Sequence, residues 1–207
     1  MSSTSKRVVL ASSNQGKLGE LKLLLAPLGL ELCLQSEFDV VDAEETGLSF
    51  VENAILKARH ASALTGLPAL ADDSGLEVDA LDGQPGIYSA RFASMHNAGA
   101  GDSDNNQLLL NRLQGISDTQ RTARFRCVLA LMKHQHDPSP LIAEGAWEGT
   151  ILEAPAGEGG FGYDPLFHVP ERGCSAAQLA PETKASTGHR GRAMAQLKAA
   201  LAKTSFL

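Results

Sequence analysis

The fold class is decided by residues 7–25, which read RVVLASSNQGKLGELKLLL. The apolar run Arg7–Ala11 is typical of a short buried strand, and a polar loop, Ser12–Gly16, follows it. Lys17 then opens a helix. Leucines recur at helical spacing within it, at Leu18, Leu21, Leu25 and Leu28. A strand, a polar loop and a helix in this order start an α/β unit, so we predict an α/β fold.

The rest of the chain supplies further elements of both kinds. Ser49 and Glu52 form a capping box, which predicts that a helix begins there. Four strands are predicted, at Leu30–Leu34, Arg124–Lys133 and Leu141–Trp147 and where Ala69–Ala71 enters a strand that delivers Asp72 and Asp73. A last helix is predicted at Arg190–Lys203. The glycine-rich segment Gly83–Gly101 is expected to be a loop. Because no repeat or linker interrupts the pattern, we expect residues 1–207 to form a single domain.

Composition narrows the class of protein. The chain has 207 residues, a net charge of −6, 43% hydrophobic and 20% charged residues, which is typical of a globular protein. An acidic balance argues against nucleic-acid binding, which requires a basic surface. The three cysteines are far apart and form no CxxC motif, and no apolar run approaches the ~20 residues that span a bilayer. We therefore expect a cytoplasmic protein with reduced thiols and no membrane partner.

Asp72 and Asp73 are the most informative residues for function. They end the apolar run 67–71 and precede Ser74 and Gly75. Adjacent carboxylates repel each other, and Mg²⁺ relieves such repulsion through one or two carboxylates while it also binds substrate phosphates. A solvated acidic turn is the alternative for the pair alone.

The loop that precedes the first helix is a candidate anion site. Ser12, Ser13, Asn14, Gln15, Gly16 and Lys17 offer hydroxyls, an amide and a lysine where a helix begins. Helix N-termini attract anions through unpaired N–H groups and the helix dipole. The GxxxxGK[ST] pattern is absent, so this is not a Walker A loop, and an ordinary polar loop is the alternative.

Other polar and aromatic residues gain meaning only in combination. Glu44 and Glu45 could complete a metal site with Asp72 and Asp73, although a solvated surface pair is the simpler interpretation. Lys57 is expected on the solvated face of its helix. Two further groups could bind a nucleotide. One is Phe161, Gly162, Tyr163 and Asp164, for which a turn packed in the core is the alternative. The other is Lys184, His189 and Arg190, for which a solvated helix start is the alternative. No nucleophile elbow is present, which favours direct attack by water.

In this order, the motifs resemble those of the inosine/xanthosine triphosphate pyrophosphatase family. The resemblance covers about residues 7–203. The matching stretches are residues 12–17, 44–54, 71–76, 85–92 and 159–165, followed by Lys184 and residues 189–191.

The resemblance implies an elongated two-lobed fold with a long mixed central sheet flanked by helices and a substrate cleft between the lobes. It also implies a homodimer and Mg²⁺-dependent hydrolysis of ITP, dITP or XTP to the monophosphate and pyrophosphate. The expected partner is thus a small nucleotide.

The resemblance also implies a role for each matching residue. Asp73 is expected to be catalytic and, with Glu45 and Asp72, to bind metal. Residues Ser12 to Lys17 would hold phosphates, and Ser74 would contact substrate. The nucleoside would lie against Phe161, Gly162, Tyr163 and Asp164, with Lys184, His189 and Arg190 at the base and sugar.

We hypothesise that a metal-activated water positioned by Asp73 attacks so that the α–β link breaks, while Lys17 and loop amides hold the leaving pyrophosphate. Donors such as Lys184 or Arg190 suit the 6-oxo group of hypoxanthine and xanthine. Two rivals stay open: a pyrophosphatase for other modified or pyrimidine nucleotides, and a non-catalytic nucleotide sensor.

Overall fold

The first strand and helix lie where the leucine pattern predicts them. The computed structural model describes residues 7–25 and 30–204. Strand β1 spans Arg7–Ala11, helix α1 spans Gln15–Leu25, and β2 spans Glu31–Leu34. Leu28, which the spacing assigned to the first helix, lies outside the described residues. Leu18, Leu21 and Leu25 are buried, as the pattern predicts.

The remaining helices and strands of the described residues follow in chain order. They are α2 (Phe50–Thr65), β3 (Ala69–Val78), α3 (Phe92–Met95), α4 (Asp102–Arg112), β4 (Thr122–Met132), β5 (Leu141–Ile151), β6 (Phe167–Val169), β7 (Cys174–Ser175), α5 (Pro181–Thr187) and α6 (His189–Leu201). None of these helices combines the length and the apolar character needed to cross a membrane.

The strands form one mixed sheet in the order β2-β1-β3-β4-β5-β6-β7. Strand β1 pairs in parallel with both β2 and β3, whereas β6 pairs antiparallel with β5 and with β7. Parallel neighbours need crossover connections, and α1 and α2 supply them. The predicted α/β fold with a mixed sheet is confirmed.

The chain divides into two compact units, each built from separate stretches of sequence. The first comprises residues 1–73, 127–145 and 189–207, and the second comprises residues 74–126 and 146–188. Each has its own apolar core, the first around Leu10, Leu129 and Leu197, and the second around Trp147 and Phe167. The division falls inside β3, between Asp73 and Ser74.

Helix α2 begins as its capping box predicts. Ser49 is the N-cap and its hydroxyl accepts a hydrogen bond from the Glu52 amide. The Glu52 carboxylate in turn accepts a bond from the Ser49 hydroxyl. Ala54, Ala58 and Ala61 form the fully buried stripe of this helix. Their small side chains let α2 pack closely on β1, which fixes the position of the residues on its other faces.

One local prediction was wrong and another was incomplete. The segment 83–101 was expected to be a loop, but it contains a 3₁₀ helix at Gly86–Arg91 and then α3. Strand β3 was expected to begin at Ala69 and to carry Asp72 and Asp73, as it does, and it continues to Val78. The backbone of β3 thus remains extended through Asp72 and Asp73. Both aspartates are buried, so they do not form a solvated acidic turn.

Candidate functional site

Asp72 and Asp73 lie next to each other on β3 but have different hydrogen-bond partners. Successive side chains of a strand point to opposite faces of a sheet. The carboxylate of Asp72 bonds to Lys17 and Arg190, whereas that of Asp73 bonds to Lys57. The alternation along one strand therefore gives two adjacent carboxylates two separate environments.

The carboxylate of Asp72 is enclosed by cations. Its Oδ1 lies 2.9 Å from Lys17 Nζ, and its Oδ2 accepts bonds from Arg190 Nε at 3.0 Å and from the Cys127 thiol at 3.2 Å. Burial alone would raise the pKa of Asp72, but the charges of Arg190 and Lys17 outweigh it and hold the pKa well below its usual range. Asp72 is therefore an ionised structural anchor.

Arg190 connects α6 to two carboxylates. Its Nε donates to Asp72, and its Nη1 donates to Glu20 on α1 at 2.9 Å. Burial opposes its charge, yet Asp72 and Glu20 together raise the pKa of Arg190 above its ordinary value. The close approach of α6 depends on Gly145 of β5, because a Cβ there would collide with the backbone of His189 and Ala193.

Asp73 lies in a second group with Lys57 and Glu45. Lys57 Nζ is 2.6 Å from Asp73 Oδ1 and 2.9 Å from Glu45 Oε1. Burial raises the pKa of Asp73 above its ordinary value, although the positive charge of Lys57 partly opposes the shift. For Lys57, burial lowers the pKa, but the charges of Asp73 and Glu45 outweigh it and give a raised pKa. The group thus holds a basic carboxylate beside a fixed ammonium.

One oxygen of Asp73 lacks a hydrogen-bond partner in the part of the chain that the structure describes. The residue is only 4% exposed, and its Oδ2 has no hydrogen-bond partner among residues 7–25 and 30–204. A buried, unsatisfied carboxylate oxygen is costly unless a ligand, proton or metal completes it. The same described residues contain no group of three His, Cys, Asp or Glu side chains placed to hold a metal. The predicted set of Asp72, Asp73 and Glu45 is therefore not assembled, because the oxygens of Asp72 already bond Lys17 and Arg190.

The polar loop before α1 is held in place by its own side chains. Asn14 caps α1, since its Oδ1 accepts a bond from the Lys17 amide at 3.0 Å. Ser12 Oγ accepts from the Asn14 amide, and the Ser13 hydroxyl donates to Asp42. Ser13, Asn14 and Gln15 remain exposed. The loop thus presents polar groups to solvent at the N-terminus of an 11-residue helix.

In the second unit, Phe161, Asp164 and Lys184 form a compact group. Lys184 Nζ lies 2.5 Å from Asp164 Oδ2 and 4.4 Å from the centre of the Phe161 ring. The Phe161 amide donates to the same Asp164 oxygen at 2.8 Å. Gly160 has φ +75°, and a Cβ there would collide with the Asp164 carboxylate. The glycine therefore allows the loop to fold tightly around the buried ion pair.

Tyr163 and Gly162, both expected to contact the nucleoside, are bonded to other parts of the second unit. Tyr163 belongs to the core of the second unit, and its hydroxyl donates to the Ser89 carbonyl at 2.9 Å. Burial raises the pKa of Tyr163 above its ordinary value. Gly162 is held by α4, because its amide donates to Asp102 at 2.6 Å and its carbonyl accepts from Asn106 at 2.9 Å. Tyr163, which was expected to line the nucleoside pocket, is thus a residue of the core.

The sequence prediction missed the role of Lys57. It was expected on a solvated helix face, but its side chain is only 12% exposed and its ammonium bonds both Asp73 and Glu45. Glu20, which pairs with Arg190, was also missed. Lys57 lies on α2 after the capping box. The only sequence feature that could have indicated its position is its spacing along the helix from the buried alanines. Ser74 follows Asp73 on β3 and is half-buried, and His189 is buried as the first residue of α6.

The fold and the site define an α/β protein with a buried network of carboxylates and cations beside a polar loop at a helix N-terminus. The model of the Ham1 family matches residues 8–200, and the chain belongs to this family.

Named relatives match along nearly their whole length. The dITP/XTP pyrophosphatase of Vibrio cholerae serotype O1 is 55% identical over 192 residues, which are 93% of this chain and 94% of that protein. The dITP/XTP pyrophosphatase of Pseudomonas syringae pv. tomato is 59% identical and covers 93% and 95%. Among solved structures, a HAM1 protein from Coxiella burnetii is 49% identical with a TM-score of 0.86, and the match covers 96% of this chain and all of that chain.

Proposed function

We propose that this protein hydrolyses the non-canonical purine nucleotides dITP, XTP and ITP to the monophosphate and pyrophosphate. Relatives with 55–59% identity over more than nine-tenths of both chains are dITP/XTP pyrophosphatases. The observation that carries the proposal is the buried Oδ2 of Asp73, which has no partner in the described ranges and lies on a carboxylate whose other oxygen bonds Lys57. Such an oxygen can accept a proton from water.

Asp73 acts as the general base. Oδ1 is occupied by Lys57, so Oδ2 is the atom that takes the proton of the attacking water. Its raised pKa brings the carboxylate closer to the working pH, which improves proton transfer. Lys57 keeps Asp73 ionised before the reaction and fixes the direction of its free oxygen.

The phosphates bind the loop from Ser12 to Lys17. The exposed side chains of Ser13, Asn14 and Gln15 and the N–H groups at the start of α1 are suitable donors to phosphate oxygens. Lys17 contributes its positive charge from a position fixed by Asp72. Asp72, which is itself bonded by Arg190, holds this lysine in place, and this replaces the predicted metal-binding role of Asp72.

A divalent metal fits the remaining carboxylates. Asp73 and Glu45 would hold Mg²⁺, because both carboxylates bond the same Lys57 ammonium and so lie close together, while Asp73 Oδ2 is left for the water. When bound, the metal neutralises charge on the phosphate oxygens. Addition of Mg²⁺ should raise the melting temperature of wild type but not of Asp73→Asn or Glu45→Gln. Glu44→Gln is the matched control, since Glu44 is exposed.

The base is recognised by polar matching. Lys184 is buried and fixed by Asp164 against the ring of Phe161, and its donors suit the 6-oxo group of hypoxanthine and xanthine. His189 and Arg190 are assigned to the base and sugar, and Ser74 to the substrate. We also assign the enzyme to the cytoplasm as a homodimer. Size-exclusion chromatography with light scattering tests the dimer.

A substrate panel tests the function. Pyrophosphate release and product identity are measured for dITP, XTP and ITP against dGTP, dATP and dUTP, with and without Mg²⁺. We expect fast Mg²⁺-dependent turnover of the first three and loss of turnover in Asp73→Asn. Faster turnover of the pyrimidine nucleotide would favour the alternative that the protein is a pyrophosphatase for other modified or pyrimidine nucleotides. Tight dITP binding without product would favour a nucleotide sensor.

A further inference from the structure

A cavity of about 550 Å³ lies at the end of α4 in the second unit. Leu110 and Asn111 of α4, Gln114 and Ile116 after it, and Arg121 and Glu153 contribute to its wall. This volume is suitable for a small organic molecule. The wall contains none of the residues assigned above to phosphate, base or metal.

The guanidinium of Arg121 lacks a full set of partners. The residue is 4% exposed, and within the described ranges its Nε–H has no hydrogen-bond acceptor. Glu153 is its ion-pair partner, but Glu153 Oε1 is 3.8 Å from Arg121 Nη1, beyond hydrogen-bond distance. The Glu153 side chain is 77% exposed. A buried guanidinium with so weak a partner is costly, and an added acceptor would relieve the cost.

We infer that this cavity binds a small organic anion whose carboxylate or phosphate accepts hydrogen bonds from Arg121. A guanidinium presents its N–H groups as a planar fork that matches paired oxygens of either group. Leu110 and Ile116 provide apolar contact for the body of the ligand, and the amides of Asn111 and Gln114 provide polar contact. Glu153 competes for the same guanidinium.

The test observes Arg121 directly. The side-chain Nε–H resonances of the arginines are recorded by ¹⁵N NMR, and that of Arg121 is assigned by its loss in Arg121→Lys. Inorganic phosphate and succinate are titrated separately to about 10 mM, tenfold above the ~1 mM dissociation constant of a weak specific site. We expect a saturable shift of the Arg121 resonance. Response to phosphate alone identifies a phosphate ligand, and response to succinate alone a carboxylate ligand. No shift with either probe overturns the inference.

Glu153→Gln gives a second test that does not depend on removal of a buried residue. Because Glu153 is exposed, the variant should fold normally, and loss of the competing carboxylate should strengthen anion binding several-fold. Arg112→Gln, an exposed change on α4, is the matched control and should leave binding unchanged. Equal affinity in wild type and Glu153→Gln would contradict the assigned position of the anion.

Discussion

Lys57 places its Nζ 2.6 Å from Asp73 Oδ1, while Asp73 Oδ2 has no hydrogen-bond partner in the described residues. In this carboxylate, one oxygen is thus bonded to a fixed cation and the other is available to a substrate or a water molecule. Glu45 holds the same ammonium from another direction. The triad explains how a buried aspartate can stay ionised and still act as a base.

Removal of Lys57 should impair catalysis and shift its pH dependence. Without the ammonium, only the charge of Lys17 opposes the effect of burial, so the pKa of Asp73 rises further. We expect kcat/KM for dITP to fall about 10²-fold or more in Lys57→Ala, and the acidic limb of the pH profile to move to higher pH. Pyrophosphate release measured across pH checks both effects.

Lys22→Ala is the control for Lys57→Ala, because Lys22 is exposed on α1. Its pH profile should overlay that of wild type. A Lys57→Ala profile that keeps the wild-type acidic limb would contradict the proposed effect of Lys57 on Asp73.

Asp72→Asn should destabilise the fold. The substitution leaves the buried charge of Arg190 with a weaker acceptor, and breaking a buried ion pair costs about 3–5 kcal/mol. Urea unfolding at neutral pH measures the loss. The exposed Asp118→Asn is the control and should have the stability of wild type.

The effect of Asp72→Asn should depend on pH with a definite sign. The pKa of Asp72 is lowered in the folded state, so its stabilisation is complete above the unfolded value of about 3.9. It is lost as the pH falls from there through the folded pKa. The stability difference between wild type and variant should shrink over that acidic range. A difference that grows on acidification would show that Asp72 is not the ionised anchor.

Asp102 should affect substrate binding through Gly162. Its carboxylate accepts the Gly162 amide bond and so holds the loop that contains Phe161 and Asp164. We expect Asp102→Ala to raise KM for dITP several-fold with a smaller change in kcat. Asp102→Asn retains an acceptor and should restore KM. Equal KM values for the two variants would argue against positioning of the loop by this bond.

Tyr163→Phe separates packing from substrate contact. Loss of the hydroxyl removes the bond to the Ser89 carbonyl, and a buried hydrogen bond contributes about 1 kcal/mol to the free energy of unfolding. We expect a loss of that size in chemical denaturation and an unchanged KM. A raised KM with unchanged stability would instead place the hydroxyl on the nucleoside.

Local sequence signals predicted the parts of the fold that depend on neighbours in the chain. The strand before Ser12, helix α1 and the capped start of α2 follow from leucine spacing and from Ser49 with Glu52. The family resemblance implied two lobes, but the limits of the two units were not predicted, because the chain enters each unit more than once.

The pairings within the site could not be predicted from local patterns. Cys127 reaches Asp72 across 55 positions and Arg190 reaches it across 118. No spacing rule connects residues so far apart. Likewise, a lysine on a helix is expected in solvent unless the carboxylates that surround it are known, and so Lys57 was misassigned.

The alternation of Asp72 and Asp73 along β3 makes the site sensitive to chain length as well as to residue type. Suppose that a single residue is inserted between Leu70 and Asp72 and that the part of β3 before the insertion keeps its pairing. Each carboxylate would then point to the face of the sheet that the other one occupies in the present chain. The anchor would then face Lys57, and the base would face Arg190. Deletion or insertion in this short stretch should therefore abolish activity even where every site residue is retained.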